Sequence, residues 1–234
     1  MHFSFENINT GLPSLLLKKY LADFHLDNGL FEKLAGCGRS RILQKSEHLV
    51  LTGPACPLYL VLSGKLKLID HAGADEWILT DILRPGDFFG DITLSGNGNI
   101  NRYAEVTSGH TLVWSFNVCT IKRIIKENPS FALVLAHSLG KKLLQAEKKN
   151  IGFYHNNTRK RVIDFFQKWA ELEGTKSGNK VVLANDLTLT DLAGYVSASR
   201  QTIHSILKEF RKSEQLEWNR KKVTVCPSLW EKGS

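Results

Sequence analysis

Leu187-Thr-Leu-Thr-Asp-Leu-Ala-Gly-Tyr-Val-Ser-Ala-Ser-Arg-Gln-Thr-Ile-His-Ser-Ile-Leu-Lys-Glu-Phe210 is the stretch whose reading decides the fold. Thr188 followed by Asp191 forms a capping-box pattern, with Asp where Glu is usual. Leu189, Leu192, Ala193 and Val196 then mark the buried side of a short helix. Ser197-Ala198 supplies a turn, and Ser199 is a residue type that caps a second helix. At about 100° per residue that second helix divides cleanly. Ile203, Ile206, Leu207 and Phe210 share one arc; Arg200, Gln201, His204, Ser205 and Lys208 share the opposite one.

Such a face has the chemistry of major-groove reading. An arginine fork can donate two bonds to guanine, and a glutamine can pair with both edge groups of adenine. Arg200 and Gln201 stand at the helix N-terminus, which reaches furthest into a groove. Amides near Ser199 can hold a phosphate. A solvated polar face on a helical hairpin is the ordinary alternative, and amphipathicity alone favours it. A basic hairpin downstream moves the balance: Leu216–Trp218, the turn Asn219-Arg220-Lys221, then Lys222–Val225. Two short strands with a cationic tip after a recognition helix make a wing, placed to touch a phosphate backbone.

Working outward, Thr158–Leu172 reads as an amphipathic helix with Val162, Phe166 and Trp169 on one side and Gly174 as its stop. A polar loop over residues 174–180 and a short strand, Val181–Leu183, link it to the hairpin. Asn128-Pro129 reads as a helix start, followed by Ala132, Leu135, Leu139, Leu143 and Ala146 at helical spacing. That stripe packs either on the preceding domain or against a second copy as a coiled-coil seam, and both readings stay open. Residues 12–35 read as mainly helical. Across about 40–118, short apolar runs such as Leu58–Leu62 and Thr111–Phe116 alternate with Gly/Pro turns such as Pro85-Gly86. That texture indicates a β-sandwich or jelly roll.

The 234 residues suit two modest domains. Net charge is +8, and residues 151–234 hold 14 Lys+Arg against 9 Asp+Glu, so the C-terminal part is the more basic. That balance favours polyanions. The four cysteines are scattered with no C-x-x-C pair, which argues against a zinc ribbon and suits a reducing cytoplasm. No secretory signal and no apolar run of membrane-spanning length is expected. None of the eight histidines lies within five positions of another, against a cupin-type jelly-roll enzyme, and no nucleophile elbow or P-loop is present. The chain is not expected to be an enzyme.

Four motifs in order give a resemblance. Leu58-Tyr-Leu-Val-Leu-Ser-Gly-Lys65, Pro85-Gly-Asp-Phe-Phe-Gly-Asp91, the Asn128-Pro129 helix start and the Leu187–Phe210 hairpin resemble the Crp/Fnr regulators over about residues 40–226. The resemblance implies an α+β chain: a sensor jelly roll (1–127), a dimerisation helix (128–155) and a winged helix-turn-helix (156–234). It also implies a homodimer on two-fold symmetric double-stranded DNA, half-sites roughly 34 Å apart, with RNA polymerase as a partner. Candidate DNA contacts are Thr188, Ser199, Arg200, Gln201, Thr202, His204, Ser205, Lys208, Arg220 and Lys221. Ser205 stands where the family often has Arg.

The family's cyclic-nucleotide pattern places Glu after Gly and a small hydroxyl residue after Arg. Here Gly90 precedes Asp91, and Arg102 precedes Tyr103. These four are the candidate effector residues, but cyclic AMP is not the expected ligand, and another small effector or none stays open. Structural ion pairing and loop hydrogen bonds are the favoured role for Asp91 and Arg102. No metal site is expected. A cyclic-nucleotide module without a DNA role is the remaining alternative.

Overall fold

The computed structural model describes residues 11–24, 26–54, 56–73, 76–95, 97–98, 101–107 and 109–231, and divides into two compact units, Met1–Leu144 and Gln145–Ser234. Part of the Gly- and Asn-rich stretch that precedes Arg102, residues 95–101, lies outside the described residues.

The first unit opens with α1 (Gly11–Leu21), a 3₁₀ turn (Ala22–Phe24) and α2 (Asn28–Cys37), the last capped by Asp27, whose carboxylate accepts the Leu30 N–H at 2.7 Å. Among the described residues ten strands follow: β1 (Gly38–Leu43), β2 (His48–Val50), β3 (Gly53–Pro54), β4 (Leu58–Ser63), β5 (Leu66–Gly73), β6 (Glu76–Leu83), β7 (Phe88–Gly90), β8 (Asn97–Gly98), β9 (Arg102–Val106) and β10 (Thr111–Phe116). They form two antiparallel four-stranded sheets, β1-β10-β4-β7 and β2-β9-β5-β6, with β3 and β8 as a separate pair.

The side chains explain the layering. Leu43, Tyr59, Val61, Phe89 and Val113 from one sheet meet Leu49, Leu66, Leu68, Ala104 and Val106 from the other in a single core. On the far face of the first sheet, Leu58, Leu60, Leu62, Trp114 and Phe116 pack on the helices through Leu17, Leu34, Ile121, Phe131 and Leu135. Strand β4 is therefore buried on both faces, which is why Leu58–Leu62 is a continuous apolar run rather than an alternating one.

Sequence periodicity passed over several elements. Strand β1 (Gly-Arg-Ser-Arg-Ile-Leu) is mostly polar, yet its backbone pairs with β10 along its whole length. Strand β9 does alternate, with Ala104 and Val106 inward, but it is short and begins on a charge. Helix α3 (Val118–Glu127) precedes the expected helix start. Asn128 ends α3, its N–H reaching the Ile124 carbonyl at 2.7 Å, and the long helix α4 (Ser130–His155) begins after Pro129.

The apolar stripe of α4 splits. Phe131, Val134 and Leu135 are buried in the first unit's core, whereas Leu139, Leu143, Leu144, Ile151 and Tyr154 are exposed. Leu135 thus belongs to the core and not to the outer stripe.

The second unit takes the end of α4, then α5 (Thr158–Glu173), β11 (Thr175–Ser177), β12 (Lys180–Ala184), α6 (Leu189–Tyr195), α7 (Arg200–Lys212), β13 (Leu216–Trp218), β14 (Lys222–Val225) and α8 (Ser228–Glu231). Its sheet runs β11-β12-β14-β13. The loop read over 174–180 is instead a hairpin, its first strand exposed and paired with β12. Aromatic rings fill the core: Phe166 lies 5.9 Å from Trp218 edge-on, and Phe165 lies 5.1 Å from Tyr195.

Candidate nucleic-acid interface

Helix α6 starts as its sequence requires. The Thr188 hydroxyl accepts the Asp191 N–H at 3.1 Å, and the Asp191 carboxylate accepts the Thr188 N–H at 2.7 Å, completing the capping box. The same carboxylate takes the Thr188 O–H at 2.8 Å, so this hydroxyl is committed within the box.

The turn bends at Ser197, whose φ is 51°, a left-handed conformation that a β-branched residue would resist. The Ala198 N–H returns to the Ala193 carbonyl at 3.0 Å. Ser199 then caps α7, its Oγ accepting the Thr202 N–H at 3.1 Å and lying 2.8 Å from the Thr202 hydroxyl.

Arg161 of α5 clamps this turn from behind. It donates from Nε to the Val196 carbonyl (2.9 Å) and from Nη2 to the Ser197 carbonyl (3.2 Å). It also donates to the Asn156 carbonyl (2.9 Å) and the Thr158 hydroxyl (3.1 Å). Sequence reading did not single out Arg161. An arginine one turn into an amphipathic helix carries no local mark of a long-range tie.

Helix α7 is two-faced. Ile203, Ile206, Leu207 and Phe210 are buried, and Phe210 is fully enclosed. Arg200, Gln201, Thr202, His204, Ser205 and Lys208 are all exposed. Arg211 and Lys212 add charge at the helix C-terminus, where cations oppose the helix dipole favourably. On the opposite flank Glu209 pairs with Arg159, whose guanidinium also lies 4.6 Å from the Phe210 ring centroid.

Strands β13 and β14 form the expected hairpin, with Trp218 opposite Val223. The Asn219 N–H reaches the Lys222 carbonyl at 2.9 Å, and Asn185 braces the tip by donating its side-chain amide to the Asn219 carbonyl at 2.7 Å. Arg220, Lys221 and Lys222 are exposed at that tip.

The four candidate effector residues are divided among other tasks. Gly90 has φ 89°, and a Cβ there would come within 2.2 Å of the Pro57 carbonyl oxygen, so β7 turns there only with glycine. Asp91 is 5% exposed and its carboxylate takes the Thr93 hydroxyl at 2.8 Å and the Ser95 N–H at 3.3 Å. Arg102 forms a two-pronged pair with Asp70 on β5, its Nη2 2.7 Å from Oδ2. Tyr103 packs edge-on between His48 (5.1 Å) and Trp77 (5.0 Å).

Among the described residues no group of three or more His, Cys, Asp or Glu side chains could hold a metal ion. Among the described residues no helix is long and apolar enough to cross a membrane.

Residues 41–128 match the family model described as cyclic nucleotide-binding domain. The global nitrogen regulator of Nostoc sp. is 24% identical over 173 residues, covering 74% of this chain and 78% of that protein. A CRP-like cAMP-activated global transcriptional regulator of Mycobacterium tuberculosis is 25% identical over 175 residues, 75% of this chain and 78% of its own. Among solved structures, a CooA mutant from Carboxydothermus hydrogenoformans superposes with TM-score 0.71 at 22% identity, covering 94% of this chain and 95% of that one. The c-di-GMP responsive regulator CLP of Xanthomonas campestris gives TM-score 0.74 at 17% identity, covering 86% and 99%.

Proposed function

We propose, from the premise that this chain is a transcription regulator of the Crp/Fnr type, that it reads double-stranded DNA as a homodimer. The reading rests on one observation: α7 buries Ile203, Ile206, Leu207 and Phe210 while exposing Arg200, Gln201, His204, Ser205 and Lys208 together.

Arg200 and Gln201 read base edges, with Ser205 in place of a longer side chain. Ser199 and Thr202 fix the N-terminal turn of α7, since their hydroxyls already face each other. Thr188 holds α6 and offers a backbone contact. Arg220 and Lys221 lie along phosphates, contributing affinity without sequence preference. The exposed stripe from Leu139 to Tyr154 is the subunit seam, because an apolar strip of that length on one helix is covered most simply by its own copy. RNA polymerase is the protein partner in this reading, and the cytoplasm its compartment.

We infer that the four candidate positions do not serve as a cyclic-AMP site. A phosphate would have to displace Asp70 from Arg102, and Tyr103 fills the place of a small hydroxyl residue. We read Gly90, Asp91, Arg102 and Tyr103 as structural.

Selection from random duplexes tests the proposal. The expected product is a two-fold symmetric site with half-site centres about one helical turn apart. Recovery of no enriched sequence at low salt, from dimeric protein, overturns it.

A further inference from the structure

The second unit contains an open cleft of 490 Å³ between the last turns of α4 and helix α5, reaching the end of α6. None of the motifs in the sequence pointed to it. Its size lies in the ordinary range of small-molecule pockets.

The lining has a consistent chemistry. Phe153, Phe165 and Tyr195 supply aromatic walls. Lys148, Lys149 and Lys168 supply cations, and the Lys149 ammonium lies 4.1 Å from the Tyr195 ring centroid. Two carboxylates, Asp164 and Glu171, also line the cleft. Asp164 takes the Lys160 ammonium at 3.1 Å and the Asn156 amide at 3.0 Å, and Glu171 takes the Gln167 amide at 3.1 Å. Flat rings beside ammonium groups suit a ligand that is itself aromatic and negatively charged.

The cleft also faces away from the exposed stripe of α4. At about 100° per residue, Gln145, Lys148, Lys149, Gly152 and Phe153 share one arc of the helix. Leu139, Leu143, Leu144, Ile151 and Tyr154 share the opposite arc. Covering the stripe would leave the cleft side of the helix clear.

We infer that this cleft is a binding site for small aromatic anions, and that its occupancy is coupled to the helix-turn-helix. The coupling has a physical route. Val196 lines the cleft, and Arg161, also in its wall, holds the Val196 and Ser197 carbonyls that set the bend before α7. Phe153 lies 5.4 Å from the same guanidinium. A ligand lying against Phe153 and Val196 touches both the ring beside the Arg161 guanidinium and a residue whose carbonyl it holds. Ligand binding here does not depend on whether α7 reads DNA.

Calorimetric titration of the full chain with naphthalene-2-carboxylate tests the site, with the neutral naphthalene-2-methanol as comparison. The expected result is one saturable site per chain, with the neutral compound at least tenfold weaker. The double variant Lys148→Gln/Lys149→Gln should weaken the carboxylate tenfold or more, and Lys122→Gln on α3, outside the cleft lining, should change it less than twofold. No saturable binding, or binding indifferent to the lysine changes, overturns the site. Saturating carboxylate should also shift affinity for a selected duplex about fivefold or more, the usual scale of coupling. Site binding with duplex affinity constant within twofold would overturn the coupling and leave the site.

Discussion

Replacing Arg161 with methionine removes four donated contacts while keeping most of the side-chain length. The two at 2.9 Å, to the Val196 and Asn156 carbonyls, are partly buried and charge-assisted. Such bonds are worth about 1.5–3 kcal/mol each. The contacts to Thr158 and Ser197 are longer, and the one to Ser197 is exposed, so they add little. Taking the low end for the first pair and a small increment for the rest gives about 3–4 kcal/mol. For a domain the size of Gln145–Ser234 that lowers the melting temperature by about 12–30 °C, at 4–8 °C per kcal/mol. Differential scanning calorimetry of the full chain reads the transition, and hydrogen exchange places the loss in α6 and α7. Arg161→Lys should fall between, since an ammonium keeps the charge but not the fork. A methionine variant melting within 3 °C of the parent, with unchanged exchange across residues 189–212, would refute the role given to this clamp.

On selected DNA, Arg200→Ala should cost about 1–3 kcal/mol on the specific site and relax preference at one base pair per half-site, read by anisotropy against single-base variants. Lys221→Ala should weaken all duplexes alike and flatten the salt dependence. Leu143 is 60% exposed, and its truncation to alanine acts twice in a two-copy seam. At about 1 kcal/mol per chain the dimer weakens roughly 30-fold by sedimentation, whereas Leu172→Ala on α5 leaves it unchanged. The Glu47 carboxyl is held below the usual glutamate range chiefly by the Gln44 N–H; burial pushes it up, and Arg41 lowers it further. Its stabilisation is therefore present above the ordinary glutamate pKa and lost as pH falls through the depressed one. Glu47→Gln should destabilise at neutral pH, and the difference in urea midpoint from the parent should vanish in acid; a gap that persists there counts against the bond.

The local rules carried furthest where an element's stability is decided by its own residues. Thr188 and Asp191 close a capping box three residues apart, Ser199 caps the helix it precedes, and the alternation of Ile203, Ile206, Leu207 and Phe210 with polar neighbours sets which side of α7 is buried. The β texture, the helix-turn-helix and the wing were legible for the same reason. Strand β1 was not, because a polar strand is stabilised by a partner 68 to 78 residues away and leaves little periodic trace.

Tertiary structure alone decided the rest. A stripe at helical spacing does not say what covers it; packing took Leu135 into the core and left Leu139 and Leu143 outside. A charge does not announce its partner: Arg102 was claimed by Asp70 across two neighbouring strands, and Arg161 by backbone carbonyls of a distant turn. Periodicity along a chain encodes which face of an element is apolar. Which surface meets that face, and which carbonyl or carboxylate meets a given cation, depends on elements brought together from far along the sequence.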